Sequence, residues 1–134
     1  MSPEVVQPEG WDRPRGYSNG MLAAPGARTL FVAGQIAWNP KQELVGAGDF
    51  VAQFRQALAN VVAVVLAAGG KATDLASLTI YVTDKRQYID GGKEIGAVYR
   101  ECMGKHFPTM ALVEVADLLE EGALVEIQAL ASVQ

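Results

Sequence analysis

One segment of the chain, from Asp49 to Gly69, constrains the fold more than any other. Its large apolar residues recur at intervals of four, four, three and four, which places them on one face of an α-helix. They are Phe50, Phe54, Leu58, Val61 and Val65. Asp49 suits the helix N-terminus, where exposed amides need an acceptor, and Gly69 suits the position just past the C-terminus. The rest of the chain must supply an apolar surface on which this helix can lie.

Segments typical of strands flank this helix and a second one. The second helix is indicated between Gly91 and Gly104 by apolar residues that return at spacings of three and four. Strands are predicted at 27–38, 75–84, 109–116 and 123–133. Two helices that each follow a strand can cover one face of a mixed sheet of about five or six strands. The sequence therefore predicts a single α+β domain over residues 1–134.

The last predicted strand indicates that the opposite face of the sheet is uncovered. Because side chains alternate along a strand, its two faces differ in composition. One face carries Val125, Ile127, Ala129 and Ala131, and the other carries Leu124, Glu126, Gln128 and Leu130. The second set would leave an exposed, half-apolar surface, which oligomerisation would cover.

Composition excludes several classes of function. Fifteen acidic and eleven basic residues give a net charge of −4, and the basic residues are not clustered, which argues against nucleic acid as a partner. The longest nearly apolar run, 61–68, is too short to cross a bilayer, so no membrane segment is expected. The single cysteine and the absence of a secretory signal favour a cytoplasmic protein. No metal-ligand cluster or phosphate loop is present in the sequence, so no cofactor is expected.

Six segments, taken in order, resemble the signature stretches of the RidA/YjgF family, the L-PSP-like enamine/imine deaminases. They are GYSNG at 16–20, VAGQIAWNP at 32–40, QFRQALANVVAVVLAAGG at 53–70, YVTD at 81–84, HFPTMALVEVADL at 106–118 and VEIQALA at 125–131. The resemblance implies a chorismate-mutase-like α+β fold and a homotrimer whose sheets line a central barrel. It also implies three clefts for a small-molecule substrate or ligand at the subunit interfaces.

The family's activity is hydrolysis of reactive 2-imino and enamino acids to 2-oxo acids and ammonia. Such a reaction needs a cation or a set of donors for the substrate carboxylate and a positioned water with an acid/base group. The family's carboxylate-binding arginine corresponds to Met110 here, which carries no charge. Two neighbouring positions are also apolar, namely Ala33, where the family often has serine, and Leu112.

Part of the family's site is retained. The resemblance assigns Tyr17, Gly34 and Gln35 to the ligand cleft, and it assigns Glu126 as the acidic residue that can orient the attacking water. Arg15 could supply the missing charge from the loop before Tyr17, as could Arg13, although solvated surface arginines are the more common case.

Other candidate residues have structural alternatives. His106 could be a general base. Its position after a helix, however, favours a structural role, in which the histidine interacts with the C-terminal end of the helix dipole. Trp11 and Trp38 could stack on a planar ligand or pack against another subunit. Cys102 lies on the apolar stripe of the second helix and is expected in the core. Glu114 and Glu126 could form a carboxylate pair on adjacent strands, or remain separate.

Three functions are compatible with these observations. The first is a divergent enamine or imine deaminase whose substrate is not a simple 2-imino acid. The second is a non-catalytic binder of small ligands, or a regulator, on the same trimer. The third is a ribonuclease or translation inhibitor, a role attached to relatives of the family, which the acidic composition disfavours.

Overall fold

A computed structural model describes residues 2–134 of the chain. The strands are β1 (Glu4–Val6), β2 (Gly20–Leu22), β3 (Arg28–Gln35), β4 (Leu75–Val82), β5 (Thr109–Glu114) and β6 (Val125–Val133). The helices are α1 (Phe50–Ala67), α2 (Lys85–Asp90) and α3 (Gly92–Met103), with a short 3₁₀ turn at Ala72–Asp74. The α+β class is thereby confirmed.

The strands form one mixed sheet of four strands and a separate two-stranded hairpin. The order in the larger sheet is β3-β6-β4-β5, so β3 and β5 are its edges. β6 runs antiparallel to both of its neighbours, whereas β4 and β5 are parallel. The expectation of five or six strands in one sheet was wrong because β1 and β2, three residues each, pair with each other.

Helix α1 has the ends that the sequence predicts. The Asp49 carboxylate accepts a hydrogen bond from the Ala52 amide at 3.1 Å, and Gly69 has a φ of +85°. By length and composition α1 could cross a bilayer, and no other helix of residues 2–134 could. Its apolar stripe is buried against the sheet, as in the core helix of a globular domain.

One polar side chain on this buried face holds the start of α1 to two loops. The Gln53 side chain is 0% exposed, and its amide nitrogen donates to the carbonyls of Gly46 at 3.2 Å and Gly122 at 3.1 Å. Its carbonyl oxygen accepts from the Leu124 amide at 2.9 Å. The side chain therefore pairs three backbone groups around the entry to β6.

The two faces of the sheet differ as the alternation in β6 predicts. Val125, Ile127, Ala129 and Ala131 are buried beneath the helices. On the other face Phe31 is 77% exposed, and it pairs across strands with Leu130, which is 40% exposed. This open face therefore presents large apolar side chains to solvent in the single chain.

Candidate ligand cleft

A first cavity lies beside the edge strand β5. This outer hollow has a volume of about 240 Å³ and is lined by Arg15, Gly16, Tyr17, Ile80, Tyr88, Met110 and Leu112. Met110 and Leu112 pair with Leu78 and Ile80, so they share the helix-facing side of the sheet. Four residues that the sequence assigned to the cleft, Arg15, Tyr17, Met110 and Leu112, thus meet in one place.

The loop that carries Tyr17 is attached to the chain that enters β5. The Ser18 amide donates to the Pro108 carbonyl at 3.0 Å, and the Ser18 hydroxyl donates to the Phe107 carbonyl at 2.5 Å. These bonds connect residues that are about 90 positions apart, which explains why GYSNG and HFPTM contribute to the same cavity.

A second cavity lies between the sheet and α3. This inner chamber has a volume of about 290 Å³. It is lined by Gly16, Phe54, Ile80, Tyr88, Gly92, Ile95, Gly96, Tyr99, Arg100, Phe107 and Met110. Arg100 is the one charged side chain among them.

The two tyrosines of the chamber are neutral hydrogen-bond donors. Burial raises the pKa of Tyr88, and burial followed by the neighbouring Tyr88 raises the pKa of Tyr99. The Tyr99 hydroxyl donates to the His106 carbonyl at 2.6 Å. Within residues 2–134 the Tyr88 hydroxyl forms no hydrogen bond, so it is free to donate to a ligand.

The remaining cleft candidates lie at the other edge of the sheet. The Glu126 side chain lies directly against the backbone of Gly34, where a Cβ atom would overlap the carboxylate. A bulge in β3 between Val32 and Gln35 brings Ala33 and Gly34 to this position. In the part of the chain that the structure describes, the Glu126 carboxylate accepts no hydrogen bond. We call Ala33, Gly34 and Glu126 the carboxylate patch.

The outer hollow and the carboxylate patch do not meet within one chain. Glu126 pairs with Tyr81 on the open face of the sheet, whereas Met110 and Leu112 face the helices. The edge strands β3 and β5 are three strand intervals apart, about 14 Å at ordinary strand spacing. The two groups of predicted cleft residues are therefore separated within one chain.

Of the two alternatives for Glu114 and Glu126, the structure excludes the pair and shows two separate carboxylates. β4 separates their strands, and the register places Glu114 beside Val82 and Glu126 beside Tyr81, which puts the two carboxylates on opposite faces. The Glu114 carboxylate instead accepts a hydrogen bond from the Lys85 amide at 3.0 Å, at the start of α2.

Several other candidates lie away from the outer hollow. Gln35 lines a separate hollow with Trp38 at the end of α1. Trp11, which is 62% exposed, lines a cavity of about 570 Å³ together with Arg13 and His106. Nε2 of His106 is 2.7 Å from the Leu75 carbonyl oxygen, so this nitrogen carries a proton that it donates.

Cys102 has the character of a packed thiol. It is partly buried beside the core, and burial, with a smaller contribution from Glu101, raises its pKa. Its thiolate is therefore disfavoured at neutral pH. Across residues 2–134, no three His, Cys, Asp or Glu side chains are grouped as metal ligands would be.

The inner chamber was not predicted from the sequence. Its signal was present in α3, where Gly92, Gly96 and Arg100 recur every four residues and so share one helical face. The apolar stripe of the same helix is the stronger pattern, and it indicates only a core-facing surface. Tyr88 was missed because it belongs to α2, a six-residue helix that was not predicted.

Comparisons with known proteins agree with this architecture. The family model described as Endoribonuclease L-PSP matches residues 12–133. A RutC family protein of Pyrococcus horikoshii is 35% identical over 129 residues, which are 96% of each chain. The 2-iminobutanoate/2-iminopropanoate deaminase of Escherichia coli K12 is 38% identical over 105 residues, 76% of this chain and 77% of that protein.

Solved structures are similar over almost the whole length. A conserved Rid family protein from Yersinia pestis has a TM-score of 0.85 at 32% identity, covering 99% of this chain and 100% of that one. E. coli TdcF with bound serine has a TM-score of 0.67 at 29% identity, covering 98% of this chain and 99% of that one. The chain therefore belongs to the endoribonuclease L-PSP family, also called the RidA/YjgF family.

Proposed function

We propose that this protein hydrolyses a reactive imine or enamine to a carbonyl compound and ammonia, in clefts between copies of the chain. The observation that carries this proposal is the Glu126 carboxylate, which lies against Gly34 without a hydrogen-bond partner in residues 2–134. A carboxylate that accepts nothing from the protein can accept from a water molecule and orient it. The similarity to an imine deaminase supports the same chemistry.

The cleft is proposed to form in a closed ring of three chains. In such a ring the β3 edge of one copy approaches the β5 edge of the next, because these are the two ends of the sheet order. At each boundary between copies, the carboxylate patch of one chain is proposed to lie beside the outer hollow of its neighbour. The same assembly covers the exposed Phe31 and Leu130 on the open face.

The reaction follows from this arrangement. Glu126 orients a water molecule toward the C=N carbon and takes up its proton as the new C–O bond forms. The resulting tetrahedral carbinolamine loses ammonia when its nitrogen is protonated, which leaves the C=O group. Water supplies both the oxygen and the protons, so the step needs no oxidant or cofactor.

The substrate carboxylate needs an anchor other than Met110. Arg15 lines the outer hollow with Tyr17 and Met110, and within residues 2–134 it takes part in no ion pair. A guanidinium there can bind a carboxylate through two hydrogen bonds. The structure of the related E. coli TdcF contains bound serine, which supports a small carboxylate ligand for this chain.

The test is a deamination assay on purified protein. 2-Iminopropanoate, 2-iminobutanoate and an enamine are generated in place, and ammonia release is compared with the uncatalysed rate. We expect acceleration by the natural chain and a loss of about 10²-fold or more in Glu126→Gln, since this removes the base. Glu114→Gln is the matched control, because Glu114 lies on the opposite face and accepts only the Lys85 amide. Unchanged turnover in Glu126→Gln would exclude its proposed role.

A non-catalytic ligand-binding role is the second candidate, and Met110 is the observation that favours it. Met110 offers no hydrogen-bond donor where the family's arginine stands, so a ligand could be held without turnover. Met110→Arg separates the two functions. If only this variant releases ammonia, the scaffold is competent and the natural cleft serves binding.

We propose that the protein is cytoplasmic in either role. The free thiol of Cys102 is compatible with the reducing conditions of that compartment.

A further inference from the structure

The outer hollow and the inner chamber are adjacent and share part of their lining. Four lining residues, Gly16, Ile80, Tyr88 and Met110, belong to both cavities. Met110 therefore stands at the junction, where a ligand held beside Tyr17 and Arg15 can extend past it toward α3. An apolar side chain at this junction allows an apolar group to pass, whereas a buried guanidinium would need a paired anion.

Four of the eleven residues that line the inner chamber are aromatic. Tyr99 and Phe107 are stacked with ring centroids 5.3 Å apart and an interplanar angle of 4°. Phe54 and Tyr88 form a tilted pair at 6.1 Å and 58°. Aromatic walls of this kind favour another aromatic ring, which can add edge-to-face or offset contacts to its burial.

Two glycines of α3 keep the chamber open. A Cβ atom at Gly92 would meet nothing within 4 Å, and a Cβ atom at Gly96 would meet only Nη1 of Arg100, at 3.5 Å. Glycine inside a helix costs about 1 kcal/mol relative to alanine, and packing does not demand glycine at either position. Their effect is to leave room on the helical face that lines the chamber.

The size of the chamber decides which group it can take. An apolar cavity of about 150 Å³ is enough to bind benzene, and this chamber measures about 290 Å³. The methyl or ethyl group of a small 2-imino acid would leave most of it unfilled. A phenyl or indole ring would occupy it, with the Arg100 side chain at its margin.

We propose that the substrates of this protein are 2-imino acids, or their enamine forms, whose side chain carries an aromatic ring. The ring occupies the inner chamber, and the C=N group remains in the outer hollow within reach of the neighbour's Glu126. The Tyr88 hydroxyl, free at the junction, donates a hydrogen bond to the polar end of the ligand. This assignment rests on the proposed function for the reaction, but the occupancy of the chamber can be measured without turnover.

The first experiment measures binding by isothermal titration with two stable 2-oxo acids, phenylpyruvate and pyruvate. Burial of a phenyl ring favours phenylpyruvate by about tenfold to a hundredfold. Gly96→Leu fills the chamber from its helical wall, and it should lower phenylpyruvate affinity about tenfold or more while leaving pyruvate unchanged. Replacing glycine also favours the helix, so the variant should fold.

Ala97→Leu is the matched control, because it adds a similar side chain to an exposed position of the same helix. It should leave both affinities unchanged. Equal affinity for the two acids, no binding of either one, or an equal effect of Gly96→Leu and Ala97→Leu would overturn the assignment of the chamber.

The second experiment compares kcat/KM for 2-imino-3-phenylpropanoate and 2-iminopropanoate. A preference for the phenyl compound that Gly96→Leu abolishes supports the whole proposal. Binding of phenylpyruvate that depends on Gly96, without hydrolysis of any imine, would refute the reaction and retain the chamber's ligand. Equal hydrolysis of both imines, unaffected by Gly96→Leu, would retain the reaction and refute the aromatic specificity.

Discussion

Gly34 is the residue whose identity most directly controls the position of a proposed reacting group. Because it has no Cβ, the Glu126 side chain can lie against the backbone of the β3 bulge. Gly34→Ala would place a methyl group inside the volume of that carboxylate, so the carboxylate must move. Such a movement of the carboxylate changes the angle at which Glu126 would orient a water molecule toward the C=N carbon.

We expect Gly34→Ala to lower kcat about tenfold or more, with a smaller effect on KM. The check is a double-mutant cycle with Glu126→Gln. If Gly34 acts only by positioning the carboxylate, Gly34→Ala should have little further effect once that carboxylate is gone. Additive losses in the double variant would mean that Gly34 acts through something other than Glu126.

Single residues were the part of the site that the sequence predicted best. The segments HFPTMALVEVADL and GYSNG assigned Met110, Leu112 and Tyr17 to one cleft, and all three line the outer hollow. The contact between Gly34 and Glu126 could not be predicted, because it depends on a bulge that the alternation of β3 does not reveal. Tyr88 and Arg100 were missed for a similar reason, since their relevance depends on how α2 and α3 pack against β5.

The start of α1 depends on the hydrogen bonds of one buried side chain, Gln53. Gln53 satisfies the carbonyls of Gly46 and Gly122 and the amide of Leu124. Gln53→Leu keeps a similar shape but leaves these backbone groups without their partner. We expect it to destabilise the fold by about 2–4 kcal/mol, since buried groups that lose a partner bear a desolvation cost.

Urea denaturation measures this effect, with Gln56→Leu as the control on the same helix. Gln56 donates a single hydrogen bond, to the Asn60 side chain at 2.8 Å, so its loss should cost no more than about 1 kcal/mol. Equal destabilisation by the two changes would show that the loops at Gly46 and Gly122 do not depend on Gln53.

Elements with strong periodicity were predicted to within a few residues, and short ones were missed. α1, β4, α3, β5 and β6 all coincide with apolar patterns in the sequence. β1 and β2 have three residues each, too few for alternation to be detected. Strand order also escaped prediction, which is why Glu114 and Glu126 were placed on adjacent strands although β4 lies between them.

In a single chain, the open face of the sheet is exposed to solvent. Phe31 and Leu130 are cross-strand partners on this face. Phe31→Asp should convert the proposed trimer to smaller species in analytical ultracentrifugation, because a carboxylate would be buried at the interface without a partner. Leu119→Asp is the control, since Leu119 is fully exposed in the loop between β5 and β6. A natural chain that sediments at 14.3 kDa would refute the assembly.

If each cleft is shared between two chains, a mixture of two inactive variants should recover a calculable fraction of the activity. Tyr17→Ala damages the outer hollow and Glu126→Gln damages the carboxylate patch, so each variant alone should lack activity. When the two are unfolded together in urea and refolded as mixed trimers, some clefts combine an intact hollow from one chain with an intact patch from its neighbour. Random assembly in equal amounts gives such a cleft in about a quarter of positions.

We therefore expect the mixture to recover about a quarter of the natural activity, whereas the same variants refolded separately and then combined should recover none. Recovery requires that the two halves of a cleft come from different chains, which is the arrangement proposed from their placement on opposite faces of one sheet. If both halves belonged to one chain, every cleft in the mixture would carry a damaged half, and no activity would return.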